Sequence, residues 1–252
     1  MLNKILTVAL TVLTCASCSA QKANQSQAGE IVGDVYKTQS GKYVSFTFIK
    51  HASFEIKYDN LSIQVDPVTK LPPETDYCDF EKADFIFVTH EHFDHFDKDA
   101  IAALTGDNTR VILNQRCADM LGHGTAMKNG DKLKLRDDIT VEAVPAYNIT
   151  ADRTQFHPKG RDNGYVLNLD GVRIYIAGDT EDIPEMANLK DIDIAFLPCN
   201  QPYTMTPQQL SKAARMFQPK VVYPYHYSDT PIYEVEKLLK DTKIKVVIKN
   251  MK

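Results

Sequence analysis

The sequence predicts an α+β fold in which two mixed β-sheets face each other and helices cover the outer faces, a four-layer αββα sandwich. Three observations point to it. Short β-prone runs crowd the start of the domain, strand and helix patterns alternate after them, and the same succession then occurs a second time. With 252 residues, 43% apolar and 25% charged, the chain can bury a core of that size as one continuous domain with no linker in the middle.

Each element has its own signal. Tyr43 to Lys50, Ser53 to Tyr58 and Leu61 to Asp66 are runs separated by His-Ala and Asp-Asn, which reads as antiparallel hairpins. Ala83 to Val88 is almost wholly apolar, as a strand covered on both faces should be. Asp97 to Leu104 and Gln115 to Leu121 are short helices around a strand at Arg110 to Leu113. Lys132 to Leu135 and Ile139 to Val144 follow, then a hairpin of Gly164 to Leu169 and Val172 to Ile176 turned by Asp170-Gly171. The last quarter reads strand Ile192 to Leu197, helix Pro207 to Phe217, strand Val221 to Tyr223, helix Pro231 to Lys240 and strand Ile244 to Ile248. Thr206-Pro207 with Gln209, and Thr230-Pro231, are the expected starts of the two helices.

The ends of the chain differ in material. Residues 1–18 carry Lys4, an apolar run from Ile5 to Ala16 and small residues, the layout of a secretory signal peptide too short to span a bilayer. Ala16-Ser17-Cys18 resembles a bacterial lipobox, so Cys18 is the expected lipid site and the only expected contact with a membrane. Cleavage after Ala20, giving a secreted or periplasmic protein, is the alternative. Residues 19–40 read as a polar tether and lead-in, and 41–252 as the domain, exported and held at the cell envelope. The net charge of −4 provides no general attraction to nucleic acid, and none is expected as a partner. Cys78, Cys117 and Cys199 form no C-x-x-C pair and read as buried apolar filler rather than a disulfide framework. The oligomeric state leaves no mark on the sequence.

The chemistry gathers at Thr89 to Asp97, THEHFDHFD. His90, His92, Asp94 and His95 follow an apolar strand in a turn where they can converge, and imidazoles with a carboxylate suit zinc and other first-row metals. Three of the chain's seven histidines lie there, which a solvated polar loop does not require.

The string resembles the H-x-H-x-D-H motif of the metallo-β-lactamase superfamily. The resemblance extends over His51 in IKHAS, Asp66-Pro67, AYN at Ala146 to Asn148, HPKG at His157 to Gly160, AGDT at Ala177 to Thr180 and YPYHY at Tyr223 to Tyr227, closest to its lactonase-like and metal-dependent hydrolase branch. It implies two divalent ions, zinc first with manganese or iron as alternatives. His90 and His92 would bind one ion and Asp94 and His95 the other, with Asp179 bridging and His226 completing the second. The third nitrogen of the first ion is open: Asn148 stands where the family usually has histidine, and a fold-back of Ile149 to Phe156 would bring His157 instead.

Other residues take supporting roles, His51 through the same resemblance and the rest from their places in the sequence. His51 is expected to touch substrate or support the ligands, and Asp66 to orient His90 or His92 through the second ring nitrogen. Lys159 and Arg161 are candidate contacts for an anionic substrate group, and Tyr203 a pocket wall. His123 reads as an exposed loop residue. The implied reaction is hydrolysis of a small polar ester, lactone or phosphodiester by a metal-bound hydroxide, with Asp94 as the catalytic carboxylate. There is no G-x-S-x-G string. A mononuclear iron thiol oxygenase of the same fold and a non-catalytic binding module are the alternatives.

Overall fold

The computed structural model describes residues 34–252. The signal, the lipobox at Cys18 and most of the tether lie outside the described residues.

The first sheet runs in chain order: β1 (Val35–Lys37), β2 (Tyr43–Lys50), β3 (Ser53–Tyr58), β4 (Leu61–Val65), β5 (Phe85–Phe87), β6 (Arg110–Leu113) and β7 (Thr125–Ala126). The second holds β8 (Lys132–Arg136), β9 (Ile139–Ala146), β10 (Asp162–Leu169), β11 (Val172–Ile176), β12 (Ile194–Pro198), β13 (Val221–Tyr225) and β14 (Lys245–Val246), again in chain order. In each sheet the first three pairings are antiparallel and the last three parallel. The parallel halves carry the helices: α1 (Lys98–Leu104) and α2 (Gln115–Leu121) in the first, α3 (Pro207–Phe217) and α4 (Glu234–Leu239) in the second. None of these helices is long and apolar enough to cross a membrane.

Alternation along the strands decides the layers. Phe46, Phe54, Ile56 and Ile63 of the first sheet turn inward against Phe196 and Tyr223 of the second, and Phe54 stacks on Phe196 with ring centroids 4.1 Å apart. On the outer side, Ile86, Val88, Val111 and Leu113 pack with Ala100, Ile101, Leu104 and Cys117 of α1 and α2. The helix starts are chemical. Asp97 caps α1 by accepting from Asp99 N, Asn114 caps α2 by accepting from Cys117 N, and Thr206 with Gln209 closes a reciprocal box on α3. Asp170 and Gly171, with φ of 47° and 88°, make the tight turn between β10 and β11.

Four departures have physical reasons. The first sheet begins at β1, inside the segment read as lead-in, because Tyr36 is anchored by a 2.7 Å hydrogen bond to the Tyr223 hydroxyl; three residues are too few to show a period. β7, at two residues, is equally silent in sequence. The last helix starts at Glu234 rather than Pro231, since Glu234 N and Val235 N bond three residues back, to Pro231 O and Ile232 O, and make a tighter turn where the first α-helical turn was expected. Cys117 and Cys199 are buried as expected, but Cys78 is exposed in the loop after β4, and no disulfide joins the three.

Candidate metal centre

The centre is assembled at one rim of the sandwich, where strands end and loops begin. After β5 the chain turns sharply through the histidine-rich string, with His95 N and Phe96 N both donating to His92 O, so residues spaced along the sequence face one point. Gly178 lies between β11 and Asp179 at φ 65°, packed against Thr89 and the Asn163 carbonyl with no room for a side chain. His51, in the β2–β3 turn, and His226, after β13, both adopt φ of 49°, and Asp66 at the end of β4 has φ 41°. Three non-glycine residues in the left-handed region at one rim mark local strain of the kind that functional sites store.

Two groups of donor atoms result. His90, His92, His157 and Asp179 form one, and His51, Asp94, His95 and His226 the other, with the donor atoms of each group within 4.8 Å of one another. In the first, His92 Nδ1 is 3.0 Å from His90 Nε2 and 3.3 Å from His157 Nε2. Asp179 spans the two: its Oδ2 is 3.3 Å from both His157 Nε2 and His226 Nε2, while Oδ1 is 3.2 Å from His95 Nε2.

These donors fit a pair of metal ions. His95 Nε2, Asp179 Oδ1 and His226 Nε2 are buried without a hydrogen-bond partner although they lie 3.2–3.3 Å from neighbouring donors, because their geometry is wrong for hydrogen bonds among themselves. Buried polar atoms left unpaired this way are costly unless a cation collects them. Imidazole with carboxylate is a first-row metal donor set.

The opposite ring nitrogens of His95, His90 and His157 are held by the protein, whereas His226 Nδ1 is buried without a partner. His95 Nδ1 donates to Asp66 Oδ2 at 2.8 Å, and Asp66 also accepts from Thr89 N and Thr89 Oγ1, both at 2.8 Å. Asp66 therefore serves His95 rather than the expected His90 or His92, since the Asp66 carboxylate meets the loop where His95 returns toward Thr89. His90 Nδ1 is instead 3.0 Å from Thr89 Oγ1. Burial holds the His90 ring neutral, far below the usual histidine range, so it presents a lone pair without first losing a proton.

At Asn148 the chain leaves β9, loops through 149–156 and returns, with Asn148 N donating to His157 O at 2.9 Å. His157 Nδ1 donates to Asn148 Oδ1 at 3.3 Å, and Asn148 Nδ2 donates to Tyr203 O at 2.8 Å. His157 is thus inside the donor group and Asn148 behind it. The loop is pinned by Glu181, fully buried, whose carboxylate accepts from Ile149 N, Thr150 N and Thr150 Oγ1, each at 2.7 Å.

Burial tends to raise the Asp94 carboxyl, but the His226 imidazole 3.4 Å away and the hydrogen bond from His51 outweigh it and keep Asp94 ionised, well below the usual carboxylate range. Its side chain is 18% exposed, and with half-buried His92 it forms the open side of the centre. Phe93 between them is 80% exposed. Tyr203 is partly exposed and packs edge-on against Phe156 at 5.0 Å.

Lys159 and Arg161 are engaged by the protein. Lys159 Nζ reaches Glu185 at 2.7 Å and lies over the Tyr147 ring, while Arg161 clamps Asp162 with two contacts of 2.7 and 2.8 Å and donates to Phe156 O. His123 is exposed. Thr89, Glu181 and Phe93 went unassigned in sequence. Thr89 and Glu181 act only through contacts made in the fold, whereas Phe93 carried a readable signal, an aromatic residue between two candidate ligands.

Comparison with known proteins places the chain in a family of metal-dependent hydrolases. A model of the β-lactamase superfamily domain matches residues 45–226. A solved structure from Parabacteroides distasonis ATCC 8503, described as a metal-dependent hydrolase, is 56% identical, covers 87% of this chain and 99% of that one, and superposes with a TM-score of 0.85. Igni18, a metallo hydrolase of the hyperthermophilic archaeon Ignicoccus hospitalis, is 27% identical over 82% of this chain and 94% of its own, with a TM-score of 0.69. A UPF0173 metal-dependent hydrolase of Pyrococcus furiosus is 34% identical over 225 residues, 81% of this chain and 96% of the relative.

Proposed function

The chain belongs to the metallo-β-lactamase superfamily as a metal-dependent hydrolase, and on that premise we propose that it hydrolyses a small polar ester, lactone or phosphodiester at a centre of two divalent ions. The observation that carries the reading is the position of Asp179, one carboxylate oxygen of which is 3.3 Å from a histidine of each donor group. Such an arrangement suits two ions sharing a ligand and is superfluous for one, which favours this reading over the mononuclear oxygenase.

His90, His92 and His157 would hold the first ion, Asp94, His95 and His226 the second, and Asp179 both, with zinc as the first choice of metal and manganese or iron as alternatives. When bound, two cations supply an acidified water and polarise the substrate oxygen. The remaining work belongs to side chains of this chain. Asp94, kept ionised and partly exposed, would orient the attacking water and accept its proton at Oδ1, since Oδ2 faces His51 and His226 among the donors of the second ion. Asp66 and Thr89 hold the His95 and His90 rings in the tautomers that leave Nε2 free. Asn148 does the same for His157, and Tyr203, whose carbonyl anchors Asn148, walls the entrance with Phe93. Lys159 and Arg161 steady the loop around His157 and Asp162. The same proposal keeps residues 1–18 as an export signal, with a lipid on Cys18 placing the domain at the cell envelope.

Elemental analysis after metal loading, alongside turnover of a nitrophenyl ester, an aliphatic lactone and a bis(nitrophenyl) phosphate, tests the reading. One ion or fewer per chain at saturation removes the dinuclear centre, and no turnover of any class removes the substrate assignment.

A further inference from the structure

We propose that His51 is a direct ligand of the second ion, and that the two positions therefore take different metals: zinc beside His90, His92 and His157, and a manganese- or iron-class ion beside His51, Asp94, His95 and His226. The inference rests on the dinuclear reading above and adds to it both a ligand and a metal preference.

The distances put His51 among the donors. Ligands about 2.1 Å from one ion sit about 3.0 Å apart in octahedral geometry and about 3.4 Å apart in tetrahedral geometry. His51 Nε2 is 3.2 Å from Asp94 Oδ2, and His226 Nε2 is 3.4 Å from the same oxygen. The His51 and His226 rings have centroids 3.8 Å apart, tilted by 44°, so both edges turn toward Asp94. The backbone leaves His51 little freedom to be elsewhere. Its N–H donates to Lys252 O at 3.1 Å, its carbonyl accepts from His226 N at 3.0 Å, its φ is left-handed and its side chain is buried.

The donor count then separates the positions. The first has three imidazoles and the shared Asp179, four donors that suit tetrahedral zinc. The second has three imidazoles, Asp94 and the shared Asp179, five protein donors before any water is added. Raw affinity favours zinc over manganese and iron at any nitrogen–oxygen site, so a preference must come from coordination number and geometry. A five-donor site open to solvent on its Asp94 side offers the higher coordination that zinc takes up least readily.

The test is to offer metal-free protein equal Zn²⁺ and Mn²⁺, crystallise it, and read anomalous scattering at both edges. The expected result is zinc at the first position and manganese at the second, with His51 Nε2 about 2.2 Å from the manganese. His51→Phe should weaken Mn²⁺ binding by at least about tenfold, a loss of the size seen when even an outer support of a ligand is removed, and leave zinc in place. His51 Nε2 more than about 3 Å from the ion, zinc in both positions, or unchanged Mn²⁺ affinity in His51→Phe would overturn the inference while leaving two bound ions intact. A single ion at saturation would instead overturn the dinuclear reading beneath it. The unsubstituted crystal decides the ligand question even if the variant folds poorly.

Discussion

The backbone N–H of His226 donates to the carbonyl of His51 across 3.0 Å, tying the end of β13 in one sheet to the β2–β3 turn of the other. The bond joins residues that both hold a left-handed backbone, and each conformation braces the other. Two lone histidines with no sequence motif in common become one structural unit, their rings 3.8 Å apart.

Histidine at 157 and asparagine at 148 should separate cleanly on substitution. His157→Ala is expected to lower metal content from two ions toward one, whereas Asn148→Ala keeps both and weakens the first by about 10–100-fold, the usual effect of removing a ligand's hydrogen-bond support. Metal stoichiometry and zinc affinity by chelator competition, measured on both variants, make the comparison. Loss of the ion in Asn148→Ala with retention in His157→Ala would reverse the assignment.

Asp66→Ala removes a buried carboxylate that accepts three hydrogen bonds, from Thr89 N, Thr89 Oγ1 and His95 Nδ1. Its expected cost is about 3–5 kcal/mol in urea unfolding of the metal-free protein, because the partners stay buried and unpaired. A change under 1 kcal/mol would mean the three contacts are not carrying the rim.

Metal affinity should rise with pH well beyond neutrality. Burial acts to strip the His226 proton, but the negative charge of Asp179 and the close approach of the Asp179 and Asp94 carboxylates prevail and raise its pKa to about 9 in the metal-free protein. An ion must displace that proton, so apparent affinity increases up to about pH 9. The sign for stability is opposite. A histidine raised above its unfolded value of about 6.5 stabilises the metal-free fold below pH 6.5, and that contribution fades as pH climbs to 9. Zinc affinity and chelator-treated urea melts at pH 6, 7, 8 and 9 should move in opposite directions; affinity flat above pH 7 would contradict the proton assignment.

Gly178→Ala should damage both ion positions at once. A Cβ there would meet the Asn163 carbonyl at 2.9 Å and Thr89 Cβ at 3.1 Å, at a φ of 65°. The expected loss is about 2–4 kcal/mol, from strain and overpacking together. The neighbouring shared carboxylate of Asp179 should shift with it and weaken both ions. Gly160→Ala is the control: φ is 86° but nothing lies within 4 Å, so only the backbone penalty of about 1 kcal/mol applies. Equal effects in the two variants would show that packing around Gly178 is unimportant.

Much of this was legible in the chain. The sandwich could be read because hairpins followed by alternation occur twice, THEHFDHFD because its donors are close in sequence, and Asp179, alone in AGDT, only through the family resemblance. His51 could be noticed but its place among the donors could not, since its neighbours Asp94 and His226 are brought to it only by folding. Asp66 was recognised as a support and matched to the wrong ring, because the return of the loop at His95 depends on hydrogen bonds to His92 O. Glu181 gave no sign at all: its partners, Ile149 and Thr150, are about thirty residues upstream in a loop with no period. Thr230-Pro231 imitates an α-helix start, but the carbonyls of Pro231 and Ile232 are taken by amides three residues on, a tighter turn that the cap signal does not distinguish.

Each seven-stranded sheet is drawn from one uninterrupted half of the chain, with the crossing at the turn around Gly130. His51, His90, His92, Asp94 and His95 belong to the first half, and His157, Asp179 and His226 to the second. Cut at that turn, the molecule would become two pieces that each possess a full sheet and neither of which possesses a full set of ligands for either ion. Reunion of the pieces would then be reported by the ions themselves, making the centre a coincidence detector for the presence of both halves.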